Sequence, residues 1–190
     1  MKYYGTLFLH PGDYWIKVLV RNAETGHTGL QIVPITVPNY DRKDLKDLYI
    51  LPPLFREAPG QWMMVKAPPR PDHPDPGGYP FVFQGESFIP TAGPSLGKGD
   101  TASLCLVAYG TSRTGVLEVE GHVVGTDGKE RGEGKLTFVK ADPPGPEGLR
   151  RLLCSFETAA LEPGTYSLLV TVRDKASGQE GKSALAFAVR

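Results

Sequence analysis

A stretch of thirty residues is present twice in this chain. Leu9, Pro11, Gly12, Tyr14, Val18, Val20, Arg21, Gly26, Gly29 and Val37 recur as Leu161, Pro163, Gly164, Tyr166, Val170, Val172, Arg173, Gly178, Gly181 and Val189, all at one offset of 152 without a gap. Ten identities in thirty positions stand against about two from average residue usage, so a unit has been duplicated. In the second copy Tyr166, Leu168, Val170 and Val172 alternate, a turn follows at 174–178, and Leu185, Phe187 and Val189 alternate again. Period-two apolar spacing around a Gly-containing turn predicts a half-buried β-hairpin. Such a hairpin folds stably only when something covers its apolar face.

Ahead of and including the second copy, seven strands are predicted, at about 79–90, 101–110, 115–125, 132–140, 150–158, 164–174 and 182–190. Turn chemistry separates them: Gly97-Lys98-Gly99-Asp100, Thr126-Asp127-Gly128 and Ser177-Gly178. The proline-rich run from Ala141 to Gly148 suits a crossing between two sheets. Alternation places Leu117, Val119, Val123, Leu136, Phe138, Leu152, Cys154 and Phe156 inward, and Glu118, Glu120 and His122 outward. Seven short strands at this spacing predict an all-β fold, an immunoglobulin-like or fibronectin type III-like β-sandwich over residues 79–190. The first copy then reads as strands at 2–9, 13–21 and 29–37, the last strands of a like unit. Residues 1–38 are thus a partial, three-stranded β-unit. A connector and proline-rich loop fill 39–78, with an edge strand at 48–51 ended by Pro52-Pro53. The apolar face of residues 2–37 calls for cover by protein, from the second unit, from another chain or a second copy in a homo-oligomer, or, as the favoured expectation, from a region of a longer chain trimmed away ahead of Met1.

Lys plus Arg and Asp plus Glu number 21 each, so no net field draws in nucleic acid or an anionic membrane. The first residues lack the apolar core of a signal peptide, and no run is long enough to insert in a membrane.

The chemistry-bearing residues are few. Cys105 and Cys154 fall mid-strand, either a cross-strand disulfide or two inward-facing, buried free thiols. His10, His27, His73 and His122 are dispersed without metal-ligand spacing, so neither metal nor cofactor is expected. Gly110–Gly115 lacks the strand-turn-helix setting of a nucleophile elbow, and Gly97–Gly99 precedes a strand where a phosphate loop needs a helix. Trp62, Met63, Met64 and Tyr79 sit on the proline-rich loop, as an apolar tack or as a binding surface. Gly12 with Tyr14, and Gly164 with Tyr166, form Leu-x-Pro-Gly-x-Tyr, the pattern of a sandwich corner in which the tyrosine hydroxyl bonds nearby backbone.

The segments Leu9–Tyr14 through Val37–Tyr40, Leu48–Leu51, Phe88–Pro90 before Lys98–Asp100, and Leu104–Gly110 together resemble the C-terminal β-sandwich region of von Willebrand factor A-related bacterial proteins. The resemblance implies an exported, multidomain surface or periplasmic protein. The Asp-x-Ser-x-Ser metal motif of a von Willebrand domain is absent from this sequence, so metal-dependent adhesion does not carry over. The expected function is a non-catalytic interaction or spacer module of a larger extracytoplasmic protein. The alternative is a carbohydrate-binding module using Trp62 and nearby aromatics.

Overall fold

The computed structural model describes residues 2–5, 7, 9–37, 47–58, 62–65, 82–83, 85–132, 134–145, 148–158 and 161–190, and no α-helix occurs among them. In chain order the strands are β1 (Lys2–Gly5), β2 (Gly12–Arg21), β3 (Thr28–Val37), β4 (Tyr49–Ile50), β5 (Leu54–Phe55), β6 (Trp62–Val65), β7 (Val82–Phe83) and β8 (Glu86–Ser87). They continue with β9 (Ser95–Leu96), β10 (Thr101–Tyr109), β11 (Leu117–Gly125), β12 (Glu130–Arg131), β13 (Lys135–Ala141), β14 (Arg150–Glu157), β15 (Gly164–Asp174) and β16 (Glu180–Val189). The chain divides into two compact units, residues 1–4 with 46–190, and residues 5–45.

The larger unit is built on two five-stranded sheets. One runs β13-β14-β10-β4 with β5 also on β10, and the other runs β12-β11-β15-β16-β9. Their facing sides share one core: Phe55, Leu104, Leu106, Leu152, Cys154 and Phe156 from the first, Val123, Leu168, Val170, Val172, Phe187 and Val189 from the second. Phe156 is at its centre, edge-on to Phe55 at 5.7 Å and to Phe187 at 5.3 Å between ring centroids. Residues 104–108 are a continuous apolar run, and all five are buried. That pattern marks a strand covered on both faces. Leu104 and Leu106 enter the core, while Cys105 packs outward under Phe83 and Phe88.

Four features depart from the sequence-based expectations. The partial unit read as three-stranded has two strands among its described residues, because β1 pairs with β6 and not with β2–β3. The strand predicted at 79–90 is replaced, among its described residues, by the two short strands β7 and β8, paired with each other. Its role beside β10 is taken by β4 and β5, which pair β10 in succession on either side of Pro52-Pro53. Proline lacks a ladder donor, and here it interrupts an edge strand without removing it from the sheet. Thus the edge strand read at 48–51 pairs in the β10 sheet, and it resumes after the prolines at Leu54–Phe55. Finally, Phe138 is 38 % exposed. It opposes Cys154 on the core side, ahead of the slip in register between Phe138 and Lys140, and it is exposed because β13 is the edge strand of its sheet.

The second sheet is closed by a parallel pair: β9 runs beside the end of β16. Backbone bonds from Ala188 N to Pro94 O at 3.0 Å, Arg190 N to Leu96 O at 2.9 Å and Lys98 N to Arg190 O at 3.1 Å complete that seam.

Candidate interaction surface

The hairpin β2–β3 reproduces β15–β16 bond for bond. Gly12 faces Val37 and Arg21 faces Thr28, as Gly164 faces Val189 and Arg173 faces Glu180. In the two turns, Gly26 N bonds Asn22 O and Gly178 N bonds Asp174 O. Gly26 and Gly178 have φ of 72° and 73°, a left-handed conformation that glycine adopts at no steric cost. Tyr14 donates its hydroxyl to His10 O at 2.9 Å, and Tyr166 to Glu162 O at 2.7 Å. Tyr166→Phe should lower stability by about 1 kcal/mol, the net worth of one such bond; a denaturation midpoint equal to the parent's would show that the corner bond contributes nothing.

The two copies differ in what their faces meet. On β15, Val170 is 1 % and Val172 is 0 % exposed; the matching Val18 and Val20 on β2 are 47 % and 62 % exposed. Cross-strand pairing groups Tyr14 with Ile35 and Ile16 with Val33 on this same face. The opposite face holds Trp15, Leu19, Leu30 and Ile32, every one exposed, with Trp15 at 70 %. Its counterparts in the second copy are Ser167, Thr171, Lys182 and Ala184, and that outer sheet face carries the ion pairs Arg173–Glu180, Lys175–Glu118 and His122–Glu130. One hairpin is therefore amphipathic and its twin is apolar on both faces. Simple alternation missed Trp15, Leu19, Leu30 and Ile32. The signal that finds them is the unbroken runs Val18-Leu19-Val20 and Ile32–Ile35, since continuous apolar runs suit strands buried on both sides.

Trp62, Met63 and Met64 lie in β6, which pairs with β1; their side chains and the whole of Tyr79 fall outside the described residues. Cys105 and Cys154 are both free and buried. Cys105 faces Leu153 and Cys154 faces Leu104 across β10–β14, so the thiols lie one step out of register and point to opposite sides of the sheet. Burial pushes the Cys105 thiol up to about 12, against the opposing pull of Arg151, and burial pushes Cys154 up to about 12 with Cys105 adding to it. A thiol that does not ionise is a poor nucleophile. Iodoacetamide at pH 8 should leave both unmodified in the folded chain and label both in denaturant; rapid labelling of either without denaturant would contradict this burial. Among the described residues no group of three His, Cys, Asp or Glu side chains could hold a metal ion. No helix there is long and apolar enough to cross a membrane.

No protein-family model matches the chain, and no curated protein matches it. Among solved structures it is similar to a family 123 glycoside hydrolase from Clostridium perfringens, described for glycolipid glycan hydrolysis. The match has 12 % identity and a TM-score of 0.39, and covers 52 % of this chain and 22 % of that one.

Proposed function

We propose that this chain is a non-catalytic β-sandwich module that mediates protein–protein contact, within a larger extracytoplasmic protein as the sequence resemblance implies. The strand orders β13-β14-β10-β4 and β12-β11-β15-β16-β9 support an immunoglobulin-like or fibronectin type III-like sandwich for residues 46–190. The carrying observation is the hairpin β2–β3, whose two faces expose Val18, Val20, Val33, Trp15, Leu19, Leu30 and Ile32. Large contiguous apolar surface marks a place where protein binds protein. The partner is a protein, and the hairpin is what it covers.

An environment-sensitive apolar dye tests the reading. The full chain should enhance its fluorescence, and Val18→Arg/Leu19→Arg, which sets one charge on each hairpin face, should remove most of the enhancement. The unfolding midpoint of the 46–190 unit should stay within about 0.5 kcal/mol, as for exposed substitutions generally. Equal dye binding by parent and variant would show that the hairpin offers no surface, and the reading would fall.

A further inference from the structure

We infer that residues 12–37 are the closing hairpin of a second β-sandwich, and that the occupant of the Ile16–Val18–Val20 face is a protein β-sheet lacking its own closing hairpin. This names the partner class for the interaction surface proposed above and rests on that reading. The chain itself shows what such a hairpin takes. In the second copy, the outer edge of β15 pairs antiparallel with β11 from Leu117 to Gly125, while among the described residues β2 pairs with β3 alone. Over the inner face of β15–β16 lies the sheet that carries Phe55, Leu104, Leu152 and Phe156. The matching face of β2–β3 keeps the same apolar pattern: Ile16 for Leu168, Val18 for Val170, Val20 for Val172, Val33 for Leu185 and Ile35 for Phe187. Identical register and corner bonds then require a cover of identical kind, a strand along the β2 edge and an aliphatic and aromatic layer over the face.

A second copy of the chain docking face to face is disfavoured by size. Ten residues per strand give a face of about 33 Å by about 10 Å. Two such faces bury roughly 650 Å², short of the ~1,200 Å² at which stable protein interfaces begin. A sheet that also pairs along the β2 edge adds a ladder of backbone hydrogen bonds, the means by which extended segments gain affinity in strand addition.

The alignment without a gap supplies the test. In the full chain, residues 1–8 are replaced by a second copy of residues 46–160, so that this sheet precedes Leu9 as it naturally precedes Leu161. A control carries the same graft with residues 9–37 exchanged for 161–189. Amide hydrogen exchange reports on the hairpin, because backbone bonds held in a sandwich open only with it. Protection of the β2 and β3 amides should rise by on the order of 100-fold over the parent chain, toward that of β15 and β16. Adding Val18→Arg to the graft should return it to the parent value. If the control hairpin is protected and 12–37 exchanges as in the parent, the hairpin is not a sandwich closure and the inference is overturned. Sedimentation of the parent chain gives the second arm: a dimer abolished by Val18→Arg would make a second copy the occupant and likewise overturn it. In either case the dye result would still stand or fall on its own, separating this inference from the reading beneath it.

Discussion

Phe156→Ala is expected to lower the unfolding free energy of the 46–190 unit by about 3–5 kcal/mol, the range for deleting a fully buried aromatic ring. The residue is 0 % exposed and its ring meets those of Phe55, from the opposite end of its own sheet, and Phe187, from the facing sheet. It therefore joins three strands remote in sequence, and no single neighbour can move in to fill the space. Urea denaturation followed by fluorescence measures the change. A loss below about 1.5 kcal/mol, the cost of a conservative volume-keeping swap, would mean that the two sheets do not share the core described above.

The second large effect is expected at Asp174, which is fully buried where β15 enters its turn. Its carboxylate accepts from Ser112 N at 2.5 Å, from the Ser112 hydroxyl at 3.0 Å and from Ala176 N at 2.9 Å. Burial alone would push its pKa up. The hydrogen bonds from Ser112, Ala176 and Ser177 outweigh it and hold the carboxyl below the usual range. Asp174→Ala leaves the Ser112 and Ala176 amides without their acceptor, at a cost of about 3 kcal/mol near neutrality. A depressed folded-state pKa contributes stability that is complete above the unfolded aspartate value near 4. That contribution disappears as pH falls through the folded value. Parent and variant should accordingly draw together in stability as the solution is acidified, and a gap that stays constant down to the acid limit would contradict the role of the charge.

Why some of this was legible in the sequence and some was not follows from how many partners each residue serves. The duplicated hairpin could be read to within two residues, because Pro-Gly, the corner tyrosine and the turn glycine act locally and fix register through bonds four residues apart. The strands from 101 onward were equally plain, since their alternation answers to one core. β4 lies in the edge strand read at 48–51, whereas β5 was hidden by Pro52-Pro53, whose local preference for a loop is overridden by pairing with β10. Phe83, in β7, and Phe88 were read into one long strand because the outer face of β10 that they cover shows itself only once Cys105 is known to point away from the core. Phe138 was read on the right face, but a period-two count does not show that β13 is an edge strand with little beyond it to cover the ring. For the candidate surface, the inward face of β2–β3 was visible from its twin, whereas Trp15, Leu19, Leu30 and Ile32 lie where the twin is polar, so comparison between the copies concealed them.

The parallel seam between β9 and β16 has a mechanical meaning. The chain enters the 46–190 unit through β4 and β5 on one sheet and is tied to the other sheet at β9, beside the strand by which it leaves. Tension applied along the polypeptide first loads the edge pairing of β4 and β5 with β10. Once that gives way, the bonds from Glu57 N to Ile89 O and from Thr91 N to Phe55 O are the next to be loaded. The load then passes to β9 and β16, whose bonds lie side by side and are sheared together. A unit loaded in this way would thus yield in two stages, the first of which already draws Ile50 and Phe55 out of the core.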